Sequence, residues 1–494
     1  MTNDALSAGD RVLVGDRLIT VPPGFASELR PGDKVLGVAA SGTLRRIPSE
    51  IDALVDASLH RAVQAFSALG SVDDAAITLF FASAADLLAD DTVFRDIAAA
   101  NAADVEAARA RGRSVTRLVL SDRMRTDMIA AFRMWRDSSV RTSQKIGEVA
   151  HDGWTVEEWR APLGIVAFVF EGRPNVFADA TGVLRSGNVV VFRIGSDALG
   201  TARAIMEGVV RPALRLAGLP DGAVVLVDAA EHAAGWRLFA DRRVALAVAR
   251  GSGPAVSELG SIAQQSGVPA SLHGTGGAWI IAGEGADADR LSAVVRRSLD
   301  RKVCNTLNVL CLPRSRAAEL ATVVLGAAEA AAAERGTRCR IHADIETMQL
   351  LPQTGEIDVV RAEGTVREPQ VTLGTHDRLG HEFEWEESPE FHLVTVADVH
   401  EAFRLFNDHS PHFVVSLVSA DPAETDAAWR GCDAPFFGDG FTRWVDGQFA
   451  LLKPELGLSN WQNGRLFGRG AVLSGDSAHT IRLRVVQTDD DLHR

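Results

Sequence analysis

The chain has 494 residues, a formal net charge of −14, 46 % hydrophobic and 23 % charged residues, and no tyrosine. Such a length exceeds one ordinary core and predicts two or three globular domains. The acidic balance, with no block of five or six Lys/Arg, argues against nucleic acid and anionic membranes as partners, and the lack of tyrosine excludes tyrosine acid/base chemistry.

Residues 8–48 read as a small β-rich module. Asp10-Arg-Val-Leu-Val and Arg17-Leu-Ile-Thr-Val flank Gly15-Asp16, and the turn Pro31-Gly32-Asp33 precedes Lys34-Val-Leu-Gly-Val. The module is either a docking element or an extension packed on its own protein. Helical spacing then runs through 51–69, 71–90, 91–110 and 114–135. Residues 147–160 form a hairpin around His151-Asp152-Gly153, an expected oligomerisation arm because such ribbons are marginal alone.

Strands and helices alternate after that. Strands are expected at 165–170, 188–192, 223–227 and 244–248, and helices at 175–185, 198–217 and 231–240, with Gly187 a C-cap. Arg250-Gly251-Ser252-Gly253 is a loop opening a further helix. This alternation predicts a parallel sheet wound on both faces, with ligands at the carboxyl ends of its strands. A second α/β series starts at Trp279 and takes in a helix at 286–300, the Cys304 segment and a helix at 317–335. Residues 363–394 read as polar and irregular. A helix at 397–407 and a strand at 413–418 follow, then a Gly- and aromatic-rich stretch at 436–470 and a closing strand at 481–486.

The four cysteines are Cys304, Cys311, Cys339 and Cys432. None lies in a C-x-x-C pair, so neither a zinc framework nor a disulfide scaffold is expected, and no metal. Reduced thiols, no signal-peptide pattern at the N-terminus and only strand-sized apolar runs predict a cytoplasmic protein. Cys304, in Arg301-Lys-Val-Cys-Asn-Thr-Leu-Asn308, is a candidate nucleophile; Arg301 and Lys302 are placed to lower its thiol pKa or merely to cap a helix. Asn175, where a strand gives way to a helix, is a candidate oxyanion donor or a plain N-cap.

Taken together, these segments resemble the gamma-glutamyl phosphate reductase (glutamate-5-semialdehyde dehydrogenase) family of the aldehyde dehydrogenase superfamily. The resemblance rests on Pro162-Leu-Gly164, Phe170-Glu-Gly-Arg-Pro-Asn-Val176, Arg185-Ser-Gly-Asn-Val-Val-Val-Phe-Arg-Ile-Gly195 and Arg250-Gly-Ser-Gly253. It continues through Cys304-Asn-Thr-Leu-Asn-Val-Leu310, Ile341-His-Ala-Asp344 and Arg443-Trp-Val-Asp-Gly-Gln-Phe449. These occur in the family's order across roughly residues 50–490.

The resemblance implies an α/β, aldehyde dehydrogenase-like fold. It comprises two Rossmann-like doubly wound domains, the hairpin arm and, as an addition, the small N-terminal module. The implied divisions are an extension at 1–49, a dinucleotide-binding domain at 50–272 that includes the arm at 147–160, and a catalytic domain at 273–435. A segment at 436–494 returns to the cofactor domain with active-site loops and an oligomerisation strand. The implied reaction is NAD(P)H-dependent reduction of an acyl phosphate, by default gamma-glutamyl phosphate, to an aldehyde through a Cys304 thioester. Asn175 and the Cys304 N–H would hold the oxyanion, and Arg173, Asn305, Arg443 and Gln448 the substrate. Arg193, Gly195 and Ser196 would lie near the adenosine ribose, Arg250, Gly251, Ser252 and Gly253 near the pyrophosphate, and Glu387 (or Glu386) near the other ribose. NADPH is the expected cofactor, with NADH possible. A homo-oligomer and a partner acyl kinase are the expected associates.

Leu272-His-Gly-Thr-Gly-Gly277 lacks the acid that activates water in thioester-hydrolysing relatives, leaving only His273. The chain departs from the family at Leu299-Asp-Arg-Lys302, Asp446-Gly-Gln448, Ala450 and Arg465-Leu-Phe-Gly-Arg-Gly-Ala471. These loops would shape the acyl pocket, so the substrate is less fixed than the chemistry. The alternatives are a reductase of acyl-CoA or carrier-bound thioesters, and a non-catalytic homologue acting as a scaffold.

Overall fold

Runs such as Ile165–Phe170 and Val189–Ile194 carry no polar alternation, and every residue in both is buried. That is the signature of parallel strands covered on both faces. A computed structural model describes residues 6–492 apart from 114, 116, 353, 354, 362, 363, 446–449, 463, 467 and 469, and only the backbone at 455 and 456. Its contacts divide into two units. One comprises Met1–Gly274, Lys453–Leu458 and Val472–Arg494; the other comprises Thr275–Leu452 and Ser459–Ala471.

The first unit holds a five-stranded parallel sheet in the order Ala270–His273, Val244–Arg250, Ile165–Phe170, Val189–Ile194, Val224–Leu226. The chain winds outward from Ile165–Phe170 in one direction, then returns to its other side. The reversal leaves a crevice between the carboxyl ends of Ile165–Phe170 and Val244–Arg250, where open α/β sheets bind ligands.

Four helices precede the sheet: Ser49–Leu69, Asp74–Ala89, Asp91–Ala110 and Asp122–Asp137. Asp73, Asp90 and Ser121 accept backbone N–H groups at three of their starts, which sets the breaks between them. Two expected helices come out segmented. Residues 174–186 form a short α-helix, Phe177–Thr181, between two 3₁₀ turns, and Gly187 ends them at φ +81°. The helix from Leu199 carries a π turn at Met206–Val210 just before Pro212, whose ring has no N–H to continue the α ladder.

The N-terminal module is two hairpins, Arg11–Val14 with Arg17–Thr20 and Lys34–Val38 with Thr43–Ile47. It packs on its own unit. Arg45 pairs with Glu258 and covers Trp236, and the Gln265 amide accepts Ala39 N–H and donates to Gly37 C=O. The hairpin arm pairs Lys145–His151 with Trp154–Pro162, and His479–Gln487 adds a third strand. The Arg185-Ser-Gly-Asn188 motif anchors that return. Asn188 accepts the N–H groups of Leu163 and Gly164 and donates to Ala478 C=O, while Ser186 donates to Gly475 C=O.

The second unit holds seven parallel strands: Val371–Leu373, Arg340–Ala343, Glu390–Val396, Leu307–Pro313, Ala278–Ala282, Val414–Val418, Phe436–Gly438. Glu390–Val396 is wholly buried inside a stretch that reads as polar. Burial of its Glu390 is made tolerable by ion pairs with Arg340 at 2.7 Å and Arg361 at 2.6 Å and by His342 at 2.7 Å. No helix among the described residues is long and apolar enough to cross a membrane.

Candidate active site

In the second unit, Cys304 precedes the strand Leu307–Pro313 and lies against the turn that opens the neighbouring strand, Ala278–Ala282. Gly277 N–H donates to Cys304 C=O at 2.7 Å, and Ala278 N–H to Thr306 C=O at 2.9 Å. Gly276 must be glycine, because a Cβ there would lie 2.5 Å from the Cys304 Cα. The segment is braced from within: Thr306 Oγ1 donates to Arg301 C=O at 2.6 Å and accepts Val303 N–H at 2.9 Å. Asn305 is fully buried. Its amide donates to Val445 C=O and accepts from Arg443, and its own C=O accepts Thr442 Oγ1 at 2.7 Å. Arg443 also pairs with Asp300 at 2.7 Å. The main chain at Cys304 is therefore held on both sides. Burial pushes the thiols of Cys311, Cys339 and Cys432 up, that of Cys432 to about 12, which makes them poor nucleophiles.

Lys302 does not stand ready to act on the thiol alone, since its ammonium pairs with Glu382 and both side chains are largely buried. Beside Glu382 lies a cavity of about 480 Å³, bounded also by Arg340, His342, Arg361, Arg378 and Glu390.

In the first unit, the loops after Ile165–Phe170 and Val244–Arg250 meet across the crevice. Glu171 N–H donates to Arg250 C=O at 3.1 Å, and Gly251 N–H to His273 C=O at 3.2 Å. Arg250 pairs with Asp179 at 3.2 Å. Burial raises the Asp179 carboxyl, with Arg250 and Arg173 opposing that rise. Burial, then the neighbouring Arg250, lowers Arg173 to about 10. His273 falls to about 3 through burial and then Arg250, so it is neutral at physiological pH.

Asn175 is the middle residue of the 3₁₀ turn Pro174–Val176, whose N-cap is Arg173. The plain N-cap reading is set aside by that position. Arg193 is buried, donates from Nη2 to Ala230 C=O, and has an Nε without a partner among the described residues. Gly195 allows backbone contact with the Glu171-Gly172 turn, since a Cβ would lie 2.6 Å from Gly172 N. Ser196 opens the next 3₁₀ turn. Ser252 is the N-cap residue of the helix Gly253–Gln265. Glu387 pairs with Arg335 at 2.5 Å in the second unit. Gln448, with Asp446, Gly447 and Phe449, lies outside the described residues.

The sequence reading brought together Cys304, Asn305 and Arg443, which meet in one unit. It missed the grip of Gly276 and Gly277, the braces Thr306 and Thr442, and Glu382 and Asp179. Only the Gly-Gly pair was visible as a motif; the others are single polar residues whose partners are distant in sequence.

Residues 41–338 match the aldehyde dehydrogenase family. The chain is 28 % identical over 391 residues to gamma-glutamyl phosphate reductase of Rhodopseudomonas palustris strain BisB18, covering 76 % of this chain and 81 % of the relative. The crystal structure of gamma-glutamyl phosphate reductase from Thermotoga maritima superposes with a TM-score of 0.77 at 22 % identity, over 89 % of this chain and all of the other. An engineered glycolyl-CoA reductase with bound NADP+ superposes with a TM-score of 0.58 at 13 % identity, over 89 % and 98 %. With well over half its length matched in this way, the chain belongs to the aldehyde dehydrogenase family.

Proposed function

We propose that this protein reduces an activated acyl group to an aldehyde through a thioester on Cys304, with an acyl phosphate as substrate and gamma-glutamyl phosphate as the first compound to test. The observation that carries the reading is the seating of Cys304. Its main chain is gripped by Gly276 and Gly277 while burial suppresses the other three thiols. The relative named gamma-glutamyl phosphate reductase supports the phosphate, and the glycolyl-CoA reductase supports the thioester alternative.

The enzyme is an oxidoreductase that uses a nicotinamide cofactor. The first unit fits such a group. Its crevice sits at a winding reversal, Gly195 keeps a Cβ out of a close backbone approach, and Arg193 Nε has no partner among the described residues. Arg193, Gly195, Ser196 and residues 250–253 would hold the dinucleotide there; the cofactor supplies hydride. The Arg193 cation favours NADPH over NADH, because a 2′-phosphate would engage it.

The chain's own residues do the rest. The Cys304 thiolate bonds to the acyl carbon, and the developing oxyanion is held by the Cys304 N–H and the Asn175 amide. Arg173 and Gln448 position the acyl chain, whereas Asn305 and Arg443, expected to bind substrate, are spent on each other, Val445 and Asp300 and brace the Cys304 main chain instead. Phosphate leaves and the thioester forms. After hydride reaches its carbonyl carbon, the C–S bond breaks to give the aldehyde and restore the thiolate. Neutral His273 is the one titratable residue of the 272–277 segment. Its pKa of about 3 makes it a weak base toward water, which favours reduction over hydrolysis.

A scan of acyl phosphates and acyl-CoAs with NADPH and NADH tests this reading. Turnover of acyl phosphates, with phosphate-dependent oxidation of the aldehyde in reverse, is the expected result. Activity only with CoA would replace the phosphate reading.

The exposed Val149, Leu483 and Val485 on the three-stranded ribbon support a homo-oligomer, and a cytoplasmic location belongs to the same proposal. A monomer in light scattering would reject that arrangement. A partner kinase supplying the acyl phosphate belongs to the same reading and is tested by co-purification with acyl kinases.

A further inference from the structure

Glu382 has no part in the scheme above, yet it is fixed more closely than a solvent-facing loop residue requires. Asn308, on the strand Leu307–Pro313, donates to His381 C=O at 2.9 Å and accepts Phe383 N–H at 3.1 Å. These bonds on either side of Glu382 set the direction of its side chain. Its Oε2 accepts Gly276 N–H at 2.5 Å, and its Oε1 pairs with the Lys302 ammonium. The pair is well shielded, with the Lys302 side chain 7 % exposed and that of Glu382 13 % exposed.

Gly276 and Lys302 flank the nucleophile. Gly276 lies against the Cys304 backbone, next to the Gly277 N–H that holds Cys304 C=O. Lys302 stands two residues before Cys304. One carboxylate therefore grips both flanks and cancels the one charge carried by the segment's buried side. A pair this shielded adds little net stability, because desolvation offsets much of the attraction. Its cost is better explained by a local task.

We propose that Glu382 is a positioning residue for Cys304, acting through Gly276 and Lys302. It fixes the main chain that carries the thiol and balances the Lys302 charge beside it. This rests on the reading of Cys304 as the nucleophile. The other charged groups around the segment are Arg301, the Asp300–Arg443 pair and, across the cavity, Arg340, Arg361, Arg378, His342, His381, Glu384 and Glu390. All of them stay unchanged in the test.

The test is the rate of Cys304 alkylation by iodoacetamide between pH 6 and pH 10 in the full-length protein, with the modified residue mapped by mass spectrometry. It needs neither substrate nor cofactor. Glu382→Gln keeps an acceptor for Gly276 N–H but leaves the Lys302 charge unbalanced. Its alkylation midpoint should fall by roughly 0.5–1 pH unit, giving about a 3- to 10-fold faster reaction at neutral pH. Lys302→Met should move the midpoint the other way, and the double variant should return it to the parent's position. Thermal melts identify a variant that does not fold; either remaining variant then carries the comparison. Parental midpoints in both single variants would overturn the proposal. Expected shifts together with full reductase activity in Cys304→Ser would leave the positioning intact and remove the proposed function.

Discussion

In the first unit the polar side chains follow their strands: Arg173 comes after Ile165–Phe170, Gly195 after Val189–Ile194, and Arg250 closes Val244–Arg250. In the second unit the order is reversed. Gly276 precedes Ala278–Ala282, Cys304 precedes Leu307–Pro313 and Glu382 precedes Glu390–Val396. The first arrangement obeys the rule for ligands of open α/β sheets; the Cys304 cluster does not. The amino end of a parallel strand offers backbone N–H groups, and Gly276 and Gly277 use theirs to hold Glu382 and Cys304. The chemistry also differs. The first cluster is a set of buried charges with cations in excess. The second is mainly backbone and side-chain hydrogen bonds around a thiol. One suits holding an anion, the other suits presenting a nucleophile.

The sharpest way to break this division is Cys304→Ser. Activity should fall at least ~10³-fold with an unchanged melting curve. Retained turnover would show that the second cluster does not carry the chemistry. Asn175→Ala asks whether the first unit contributes to the reaction itself. The expected loss is ~10²-fold in kcat with little change in KM. A rise in KM alone would confine the first unit to binding.

Two further changes compare how the units tolerate buried charge. Glu390 is held down to about 2, against burial, by His342 and then Arg361 and Arg340. Its folded pKa lies below the unfolded value, so its stabilisation is present above about pH 4.5 and is lost as pH falls toward 2. Acid titration of Glu390→Gln should lack that loss, on the order of 3 kcal/mol, in urea melts between pH 4.5 and pH 2. Asp179 is the opposite case, a carboxyl raised by burial. Arg250→Met should destabilise by about 2 kcal/mol at pH 7, where the carboxylate is left without its partner. The deficit should shrink as pH falls and Asp179 takes up a proton, read by the same melts. A pH-independent deficit would mean that packing, not charge, binds Arg250 in place.

Four of the five sheet strands of the first unit were legible because each is a short apolar run between turns; Ala270–His273, interrupted by Ser271 and His273, was not. Glu390–Val396 was not, since Glu390, His392 and Thr395 interrupt it and the partners of these side chains that make their burial tolerable lie 14 to 50 residues away. The Arg185-Ser-Gly-Asn188 motif stood out by resemblance, but its task was hidden. Asn188 and Ser186 tie down a segment about 290 residues later. The same limit applied at Cys304. Lys302 looked like a cation free to act on the thiol until Glu382, 80 residues on, was found beside it.

By itself the sequence determined the fold class, the family and the reaction type, because these rest on the order of local motifs and the period of apolar runs. Tertiary structure alone decided which end of each sheet carries its polar cluster, and which charges are cancelled. Charge–charge energies fall within a few ångströms of separation, and the residues that meet at those distances are scattered through the chain.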